Sequence, residues 1–518
     1  MVDISKYPLG VQTFEKIRRE ESVYVDKTEY VYRLAHWSST CFFLARPRRF
    51  GKSLFLSTLE SYFQGKKELF RGLAIEKMEQ KWESFPVLHF DISGGKDLSK
   101  TELEQFLNYQ IDDVAELNGV KSVRVGLNNR MNELIRKVYE KTGKPVVVLV
   151  DEYDAPLLDV VDREDDLNEM RQLLLNFYSP LKSCDQYLRF VFLTGITKFS
   201  QMSIFSKLNN LTDISMMTDY AGVCGITKTE LLRQLDDDIA YYAERTALSK
   251  KEAITTLERN YDGYHFCWPS DNVFNPYSLF RAFYEGATNP YWFDTGTSTY
   301  LIKALQKYNV KPTEVGYNVM LSDFNVPTES MTTAIPLLYQ SGYITIKGYD
   351  SETLQYRLEI PNEEVKIGLY QSLLPYYIQD KTVETNCLLV KLANSFKKGD
   401  IDDVFRRLQI FLDTVPYCDN TKYEGHWQQV LYIIFTLMGQ YVDVEVRTSR
   451  GRIDMVLKAN NVLYIIELKL GGTAEAALQQ VETNGYAKRF ALTHLPIVKV
   501  GVVFDGLEGS IGEWKVAR

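Results

Sequence analysis

The stretch Cys41–Leu54, which reads CFFLARPRRFGKSL, constrains the fold of this chain more than any other part of the sequence. Its first five residues are apolar, which is typical of a buried parallel strand. A basic turn then leads to Gly51-Lys52-Ser53, and the run Leu54–Phe63 has helical periodicity. A helix N-terminus offers unpaired N–H groups and a positive dipole end, to which Lys52 adds a charge and Ser53 a hydroxyl. The order strand, loop, helix therefore predicts a site for phosphate groups and Mg²⁺.

The loop departs from the usual phosphate-binding pattern at one position. That pattern begins with glycine five residues before the Gly-Lys pair, where this sequence has Arg46. Without the glycine the loop must turn differently, and we expect Pro47 to supply the turn through its fixed φ. A basic strand-to-helix turn without a ligand would explain Gly51-Lys52-Ser53 alone, so the motif needs support from the rest of the chain.

Two further apolar runs end in residues that suit phosphate chemistry. The β-branched run Val146–Val150 is followed by Asp151 and Glu152. A carboxylate at the end of a neighbouring strand can hold Mg²⁺ through water, and a second can polarise the attacking water. Asp151 and Glu152 fit these two roles. The run Leu188–Leu193 ends at Thr194, which is placed to sense a γ-phosphate, and the three strand ends together favour nucleotide binding.

Five phrases resemble the AAA-ATPase-like proteins that are common in gut Bacteroidetes. They are YVDKTEYV (Tyr24–Val31), RPRRFGKSL (Arg46–Leu54), DEYDAPL (Asp151–Leu157), TGITKFS (Thr194–Ser200) and FSKLNNLTDIS (Phe205–Ser215). In that family the Arg-Pro-Arg-Arg-Phe loop is itself characteristic, and the resemblance spans nearly the whole chain. The predicted contacts to ATP are Arg48, Arg49, Phe50, Gly51, Lys52, Ser53, Leu54, Asp151 and Thr194, with Ser53 and Asp151 as Mg²⁺ ligands and Glu152 as the catalytic carboxylate.

The resemblance also implies a C-terminal PD-(D/E)XK nuclease domain, and the segment from about 421 has a matching order of elements. The pattern predicts, in turn, a helix over Glu424–Gly439, strands over Tyr441–Val446, Arg452–Lys458 and Val462–Lys469, a helix over Thr473–Thr483 and a strand over Ile497–Phe504. This αβββαβ order is that of the PD-(D/E)XK core.

An acidic cluster within this segment suits hydrolysis of a phosphodiester. In an alternating strand Glu467 and Lys469 point to the same face and can converge on Asp454. Such a reaction needs hard oxygen ligands for the metal and a group that positions the water. We expect Asp454, Glu467 and the Leu468 carbonyl to hold the metal, with Glu424 as a further ligand and Lys469 at the water. A surface salt bridge would explain Glu-x-Lys alone, but Asp454 and the element order favour the nuclease.

The middle of the chain predicts a helical lid over 225–290 and a winged helix after about 325. The winged-helix pattern comprises a helix over Ala334–Gln340, strands over Tyr343–Lys347 and Leu354–Ile360 around a turn at Gly348-Tyr349-Asp350-Ser351, and a helix after the cap residue Asn362. The hairpin is not strongly basic, which favours packing against the ATPase over binding DNA. The predicted domains are 1–220 for the ATPase, 221–384 for the lid and winged helix, and 385–518 for the nuclease-like domain.

Composition places the chain among ordinary globular proteins. Of its 518 residues 45% are hydrophobic, and the net charge of −8 means that any contact with DNA needs a local basic patch. The six cysteines are scattered without a CxxC pair, which favours buried free thiols in a reducing compartment. No signal peptide or run of about 18 apolar residues is evident, so we expect a cytoplasmic protein without a membrane partner.

We therefore predict an α/β chain, with a P-loop NTPase parallel sheet, a helical lid and a winged helix followed by a PD-(D/E)XK nuclease-like α/β domain. The expected activity is ATP binding and hydrolysis coupled to Mg²⁺-dependent cleavage of nucleic acid, with DNA as the expected partner and Mn²⁺ as an alternative metal. Two alternatives stay open: a nucleotide-sensing regulator and a DNA-remodelling ATPase, each with a non-catalytic nuclease fold. The oligomeric state also stays open.

Overall fold

A computed structural model describes most of the chain. The described residues are 2–96, 98–158, 160, 163–198, 211–293, 301, 305, 307–308, 310, 315–327, 331–378, 382–414, 426–440, 443–449, 452–483, 495–505 and 510–518, with the backbone alone for 164, 376, 382–384, 414, 426–428, 440, 443–449, 452–454 and 470. The chain divides into two compact units. The first comprises Met1–Asn309 and Gly316–Val365, and the second Val310–Val315 and Lys366–Arg518. The finer division into three domains stays a prediction.

A five-stranded parallel sheet forms the centre of the first unit. Its strands are β1 (Cys41–Ala45), β2 (Val87–Asp91), β3 (Val146–Asp151), β4 (Leu188–Gly195) and β5 (Thr212–Asp213). They pair in the order β2-β3-β4-β1-β5, and all four pairs are parallel. Every residue of β1 and β3 is buried, because helices cover both faces of such a sheet. The predicted doubly wound parallel sheet is confirmed.

Helices pack against this sheet through apolar stripes. In this part of the chain they are α1 (Phe14–Arg19), α2 (Thr28–Ala35), α3 (Lys52–Phe63), α4 (Ala74–Met78), α5 (Lys100–Leu117), α6 (Leu127–Thr142), α7 (Ala155–Leu158), α8 (Glu164–Tyr178) and α9 (Pro180–Ser183). The helix α5 begins with a capping box between Ser99 and Glu102. It buries Leu103, Leu107 and Ile111 at four-residue spacing, so its stripe faces the core.

The region after the sheet is helical, as the sequence predicts. It contains β6 (Ile226–Thr227), β7 (Val273–Phe274), α10 (Lys228–Gln234), α11 (Asp236–Arg245), α12 (Lys250–Tyr261) and α13 (Pro276–Glu285). The two short strands pair antiparallel. Aromatic side chains fill the core between the helices, among them Tyr242, Tyr261 and Phe283, all at most 1% exposed. Its role as a lid stays a prediction.

A small antiparallel sheet ends the first unit. Its strands are β8 (Tyr317–Val319), β9 (Thr345–Asp350) and β10 (Gln355–Glu359), paired β8-β10-β9, with α14 (Leu321–Phe324) and α15 (Ile335–Gln340) beside them. The predicted turn at Gly348–Ser351 was wrong. The strand β9 continues through Tyr349, whose ring packs 4.6 Å from Tyr356 across the pair, so the turn lies at 351–354. The winged-helix assignment stays a prediction.

The second unit contains a mixed sheet flanked by helices. After α16 (Glu363–Ile378), which begins in the first unit, come α17 (Thr382–Lys398), α18 (Ile401–Thr414), α19 (His426–Leu437), β11 (Asp443–Ser449), β12 (Arg452–Ala459), β13 (Val462–Leu470), α20 (Ala474–Thr483), β14 (Ile497–Asp505) and β15 (Ser510–Ala517). The strands pair in sequence order, and only β13 and β14 are parallel. The predicted αβββαβ order is present, and the structure adds β15.

The thiols only partly follow the prediction of buried cysteines. Cys41, Cys184, Cys224 and Cys267 are buried and free, whereas Cys387 is exposed. Cys387 lies on the exposed face of α17, next to the buried stripe that contains Leu388 and Leu389, and apolar content alone did not distinguish the two faces. Separately, within the described part of the chain no helix is long and apolar enough to cross a membrane.

Asp262 provides a test of burial in the helical region. Burial, the largest cause, raises the pKa of this carboxyl to about 6, and its Oδ2 accepts a 2.6 Å hydrogen bond from Asn272. Because the folded pKa exceeds the unfolded one, the stability from this group is complete below about pH 4 and is lost as pH rises through 6. The loss amounts to roughly 3 kcal/mol.

We therefore expect Asp262→Asn to stabilise the protein at pH 8 and to have a clearly smaller effect at pH 4.5. Urea unfolding at the two pH values measures the difference. The control is Asp350→Asn, because the pKa of the Asp350 carboxyl is lowered, first by the backbone hydrogen bond from Glu352, so that its pH dependence has the opposite sign. Equal effects of Asp262→Asn at both pH values would contradict the assignment.

Candidate functional site

The junction of β1 and α3 has the predicted strand–loop–helix geometry. Gly51 caps the helix with a φ of 93°, a left-handed conformation that suits glycine. Arg49 also adopts a positive φ, 66°, which is uncommon for a residue with a side chain. The first N–H groups of α3 therefore open onto the loop, as a site for an anion requires.

Lys52 lies within the loop rather than in solvent. Its side chain is buried, and its Nζ donates to the carbonyl oxygens of Arg46 and Pro47, both at 3.0 Å. Burial lowers the pKa of the Lys52 amine, and the charges of Glu152 and Asp151 oppose that shift. The amine is thus held at the mouth of the helix by two neutral acceptors that a phosphate oxygen can replace.

Ser53 and Asp151 meet at the end of β3. The Asp151 carboxylate is 6% exposed and accepts a hydrogen bond from the Ser53 hydroxyl. Burial raises the pKa of Asp151, while the Ser53 hydrogen bond and the Lys52 charge lower it. A hydroxyl and a carboxylate in contact provide the hard oxygen atoms that Mg²⁺ prefers, so these two residues fit the predicted metal.

Glu152 faces Lys96, a residue that the sequence analysis missed. Glu152 has a φ of 47°, and its Oε2 lies 2.8 Å from the Lys96 Nζ. Burial would raise the pKa of Glu152, but the Lys96 hydrogen bond and the charges of Lys52 and Arg48 lower it overall. Lys96 lies shortly after β2, and the last residue of β2 is in register with Asp151. A lysine just beyond the end of the neighbouring strand could therefore have pointed to a partner for Glu152.

Arg46, the departure from the usual loop pattern, is an internal anchor. The side chain is 1% exposed, its guanidinium donates to the carbonyls of Ala45 (2.9 Å), Ser215 (2.7 Å) and Tyr220 (3.1 Å), and it lies 4.2 Å from the centre of the Phe266 ring. We expected Pro47 to set the turn. These contacts instead make the buried arginine the residue that fixes the loop backbone at the end of β1.

The position of Thr194 does not support the predicted contact with a γ-phosphate. The side chain is fully buried, and its hydroxyl donates to the Leu44 carbonyl at 3.0 Å, which links β4 to β1. The polar group next to it that the sequence analysis missed is Asp154. Its carboxylate accepts from the Ile196 and Thr197 N–H groups and from the Thr197 hydroxyl, at 2.6–3.2 Å. Both residues therefore hold the strand end in place.

An apolar cleft adjoins the loop at Phe50 and Gly51. The space between its walls is about 500 Å³, part of which is open solvent. Its walls are formed by the segment before α2, the loop and start of α3, and the helical region, with Val25, Lys27, Phe50, Gly51, Leu54, Cys224, Pro276 and Phe280 among the lining residues. Four predicted loop contacts are absent from this lining: Lys52 and Ser53, described above, and Arg48 and Arg49. Arg49 is exposed over the Tyr277 ring at 4.8 Å, and Arg48 acts electrostatically on Glu152.

In the second unit the pairing of β12 with β13 brings two predicted metal ligands together. Asp454 and Glu467 are directly opposite in register, and opposed residues of an antiparallel pair are about 4.5–5.5 Å apart at Cα. The Glu467 side chain is 1% exposed, and Leu468 beside it is also buried. Glu424 lies outside the described residues, as does the side chain of Asp454.

Lys469 is held by the helix α20. Its Nζ donates to the Ala476 carbonyl at 3.3 Å. The helix approaches the sheet closely at Gly501, where a Cβ would lie 2.4 Å from the Ala474 oxygen, and Gly501 is in register with Glu467. Only glycine permits this approach. Among the side chains that the structure describes, no group of three or more His, Cys, Asp or Glu residues could hold a metal.

Comparisons with known proteins agree with the fold of both units. Residues 8–205 match the family model of a predicted AAA-ATPase, and residues 422–514 match that of the PD-(D/E)XK nuclease superfamily. A protein of Azotobacter chroococcum mcd 1, "Uncharacterized protein in vnfD 5'region", is 36% identical over 520 residues, which cover 96% of each chain. This chain therefore belongs to the AAA-ATPase-like proteins that carry a C-terminal PD-(D/E)XK nuclease superfamily domain.

Proposed function

We propose that the first unit binds and hydrolyses ATP with Mg²⁺, and that the second unit cleaves DNA with the same metal or with Mn²⁺. The observation that carries the first part is the grouping of Lys52, the Ser53–Asp151 pair and Glu152 at the loop and the end of β3. The Lys52 amine complements the phosphates, the Ser53–Asp151 pair complements the metal, and the Glu152 carboxylate complements the attacking water.

Each residue of the first site then has a role that follows from its contacts. Lys52 exchanges its two carbonyl acceptors for phosphate oxygens, which are stronger acceptors because they are charged. Ser53 and Asp151 hold Mg²⁺, which when bound offsets negative charge on the phosphates. Glu152 accepts a proton from the attacking water or orients it, and its lowered pKa keeps the carboxylate ionised at neutral pH.

The apolar cleft supports a nucleotide as the ligand rather than a simple phosphate. Phe50, Leu54 and Phe280 line it beside Gly51, so a group attached to the phosphates reaches apolar side chains. A nucleobase is flat and largely apolar on its faces, and stacking on an aromatic side chain stabilises it. Lys27 is the charged residue in the lining, and it is paired with Glu230 at 2.6 Å. The cleft thus suits an uncharged ring.

The proposal for the second unit is supported by the register of Asp454 with Glu467 and by the position of Lys469. Two carboxylates on neighbouring strands, with the Leu468 carbonyl and Glu424 as further oxygen ligands, suit a divalent cation. Lys469 would leave the Ala476 carbonyl to orient the attacking water and supply positive charge beside the scissile phosphate. DNA would be the substrate, which the net charge of −8 limits to a local contact surface.

A comparison of two variants tests the ATP site. Lys52→Ala removes a charge-assisted phosphate contact worth roughly 1.5–3 kcal/mol and should weaken ATP binding ten-fold or more. Glu152→Gln should retain binding but slow hydrolysis by about 10²-fold or more, because the amide cannot take up the proton. Calorimetry gives the affinity and phosphate release gives the rate. Lys66→Ala, which alters a surface pair with Glu15, is the control, and equal ATP affinity of Lys52→Ala and wild type would contradict the site.

Lys96 should act on hydrolysis through Glu152. In Lys96→Met the pKa of Glu152 rises, because the ion pair that lowers it is lost. We expect hydrolysis roughly ten-fold slower at pH 7, because Glu152 also loses the hydrogen bond that orients it. The acidic limb of the pH–rate profile should move to higher pH while the KM for ATP changes little. Lys96→Arg should restore much of the rate. An unchanged acidic limb in Lys96→Met would contradict this role.

The acidic cluster is tested by cleavage of plasmid and linear DNA with Mg²⁺ or Mn²⁺, with and without ATP. Asp454→Asn and Glu467→Gln should each abolish cleavage, because an amide is a poor metal ligand. Lys469→Ala should bind metal but cleave about 10²–10⁴-fold more slowly. Glu475→Ala changes an exposed glutamate on α20 and is the control. If wild type cleaves nothing under any condition, the non-catalytic alternatives are favoured, and cleavage by Asp454→Asn would place the activity elsewhere.

A further inference from the structure

Aromatic residues from the helical region pack against the loop between β1 and α3. The ring of Phe50 packs edge-on against Tyr264 and Phe266, at 4.7 and 5.3 Å between ring centres. The Phe50 carbonyl accepts from the Gly225 N–H at 3.0 Å. The indole Nε1 of Trp292 donates to the Arg48 carbonyl at 3.2 Å. The loop therefore cannot change its backbone conformation without altering contacts outside the sheet.

Trp292 has a second contact that leads away from the loop. Its backbone N–H donates to the Oε1 of Glu364 at 2.9 Å, and the Glu364 side chain is 1% exposed. Glu364 lies in the first turn of α16, which Asn362 caps through a 3.0 Å hydrogen bond from the Val365 N–H. From Lys366 onward, the residues of α16 belong to the second unit. One residue thus contacts both the loop backbone and the start of the helix that leaves the unit.

Occupation of the loop would change the backbone at the point that Trp292 contacts. The carbonyls of Arg46 and Pro47 are the present acceptors of the Lys52 amine. A phosphate that takes this amine leaves both carbonyls to find other donors, and the loop N–H groups must turn toward the anion. The Arg48 carbonyl belongs to the next peptide unit. The ring of Trp292 packs against Phe293 and Tyr343 at 5.2 and 5.1 Å between centres, so a shift at its Nε1 is transmitted to its backbone.

We propose that Trp292 relays nucleotide occupancy of the loop to the first turn of α16, and so regulates the part of the chain that follows this helix. The proposal rests on the proposed ATP binding. It requires that the contact to Arg48 differ between the free and the bound loop, because only a differential contact can shift an equilibrium. The relay consists of one hydrogen-bonded aromatic residue, Trp292, and does not require the parallel sheet to move.

Hydrogen exchange of the full chain, measured by mass spectrometry, tests the relay. Exchange at 363–378 is compared without nucleotide and with a non-hydrolysable ATP analogue and Mg²⁺, in wild type and in Trp292→Phe. Phenylalanine retains the aromatic packing and loses the donor to Arg48. The matched control is Trp82→Phe, because Trp82 packs against Tyr62 and Phe70 and its buried Nε1 has no partner among the described residues. Calorimetry with the same analogue gives the affinity of each protein.

We expect the analogue to change exchange in the first turn of α16 by at least about three-fold in wild type and in Trp82→Phe. In Trp292→Phe this response should be lost while the analogue still binds. If wild type binds the analogue but α16 does not respond, or if Trp292→Phe responds as wild type does, the relay is overturned and the proposed ATP site stands. If wild type does not bind the analogue, both proposals fail. Glu364→Ala, which removes the second contact, should also lose the response.

Discussion

The burial of the Arg46 guanidinium determines the geometry of the first site. A cation away from water is costly unless its hydrogen bonds are satisfied. Here three backbone carbonyls accept hydrogen bonds from its Nη atoms and the face of Phe266 covers it, while its Nε has no hydrogen-bond partner among the described residues. Those carbonyls come from β1 and from the chain near Ser215 and Tyr220, so the charge binds separate segments to one another. The loop is thereby set without the glycine that the usual phosphate-binding pattern has at this position. The carbonyl of Arg46 itself becomes an acceptor for Lys52.

The surroundings shift the pKa values of two adjacent carboxylates, Asp151 and Glu152, in opposite directions. Asp151 ends β3 under the loop, and burial raises its pKa, whereas the ion pair with Lys96 helps to lower the pKa of Glu152 against the effect of burial. Alternation along the strand and the positive φ of Glu152 send the two side chains into these different surroundings. Neighbouring acids can then serve different purposes, because the charges around each one set its affinity for protons.

The local order of strand, loop and helix could be predicted from the sequence, because buried runs and helical periodicity record which faces meet the core. The same pattern predicted the αβββαβ order of the second unit. It missed β15, a strand at the sheet edge with two buried residues among its eight, which carries no clear apolar signal. It also missed Lys96, which meets Glu152 across a separation of 56 residues, and it did not reveal that the Thr194 hydroxyl donates to the Leu44 carbonyl. Periodicity does not reveal which polar groups are satisfied by backbone atoms brought together by the fold.

The walls of the apolar cleft come from parts of the chain that are far apart in sequence, from Pro8 through Gly51 to Phe280. No short segment contains even half of such a site, so the unfolded chain has nothing for a ligand to recognise. Any molecule that fills the cleft therefore adds its binding free energy to the stability of the folded unit. At a ligand concentration one hundred times the Kd, this gain is about 2.7 kcal/mol. If ATP is that molecule, as proposed, a fall in its concentration would raise the unfolded fraction of the first unit and expose the chain to proteolysis.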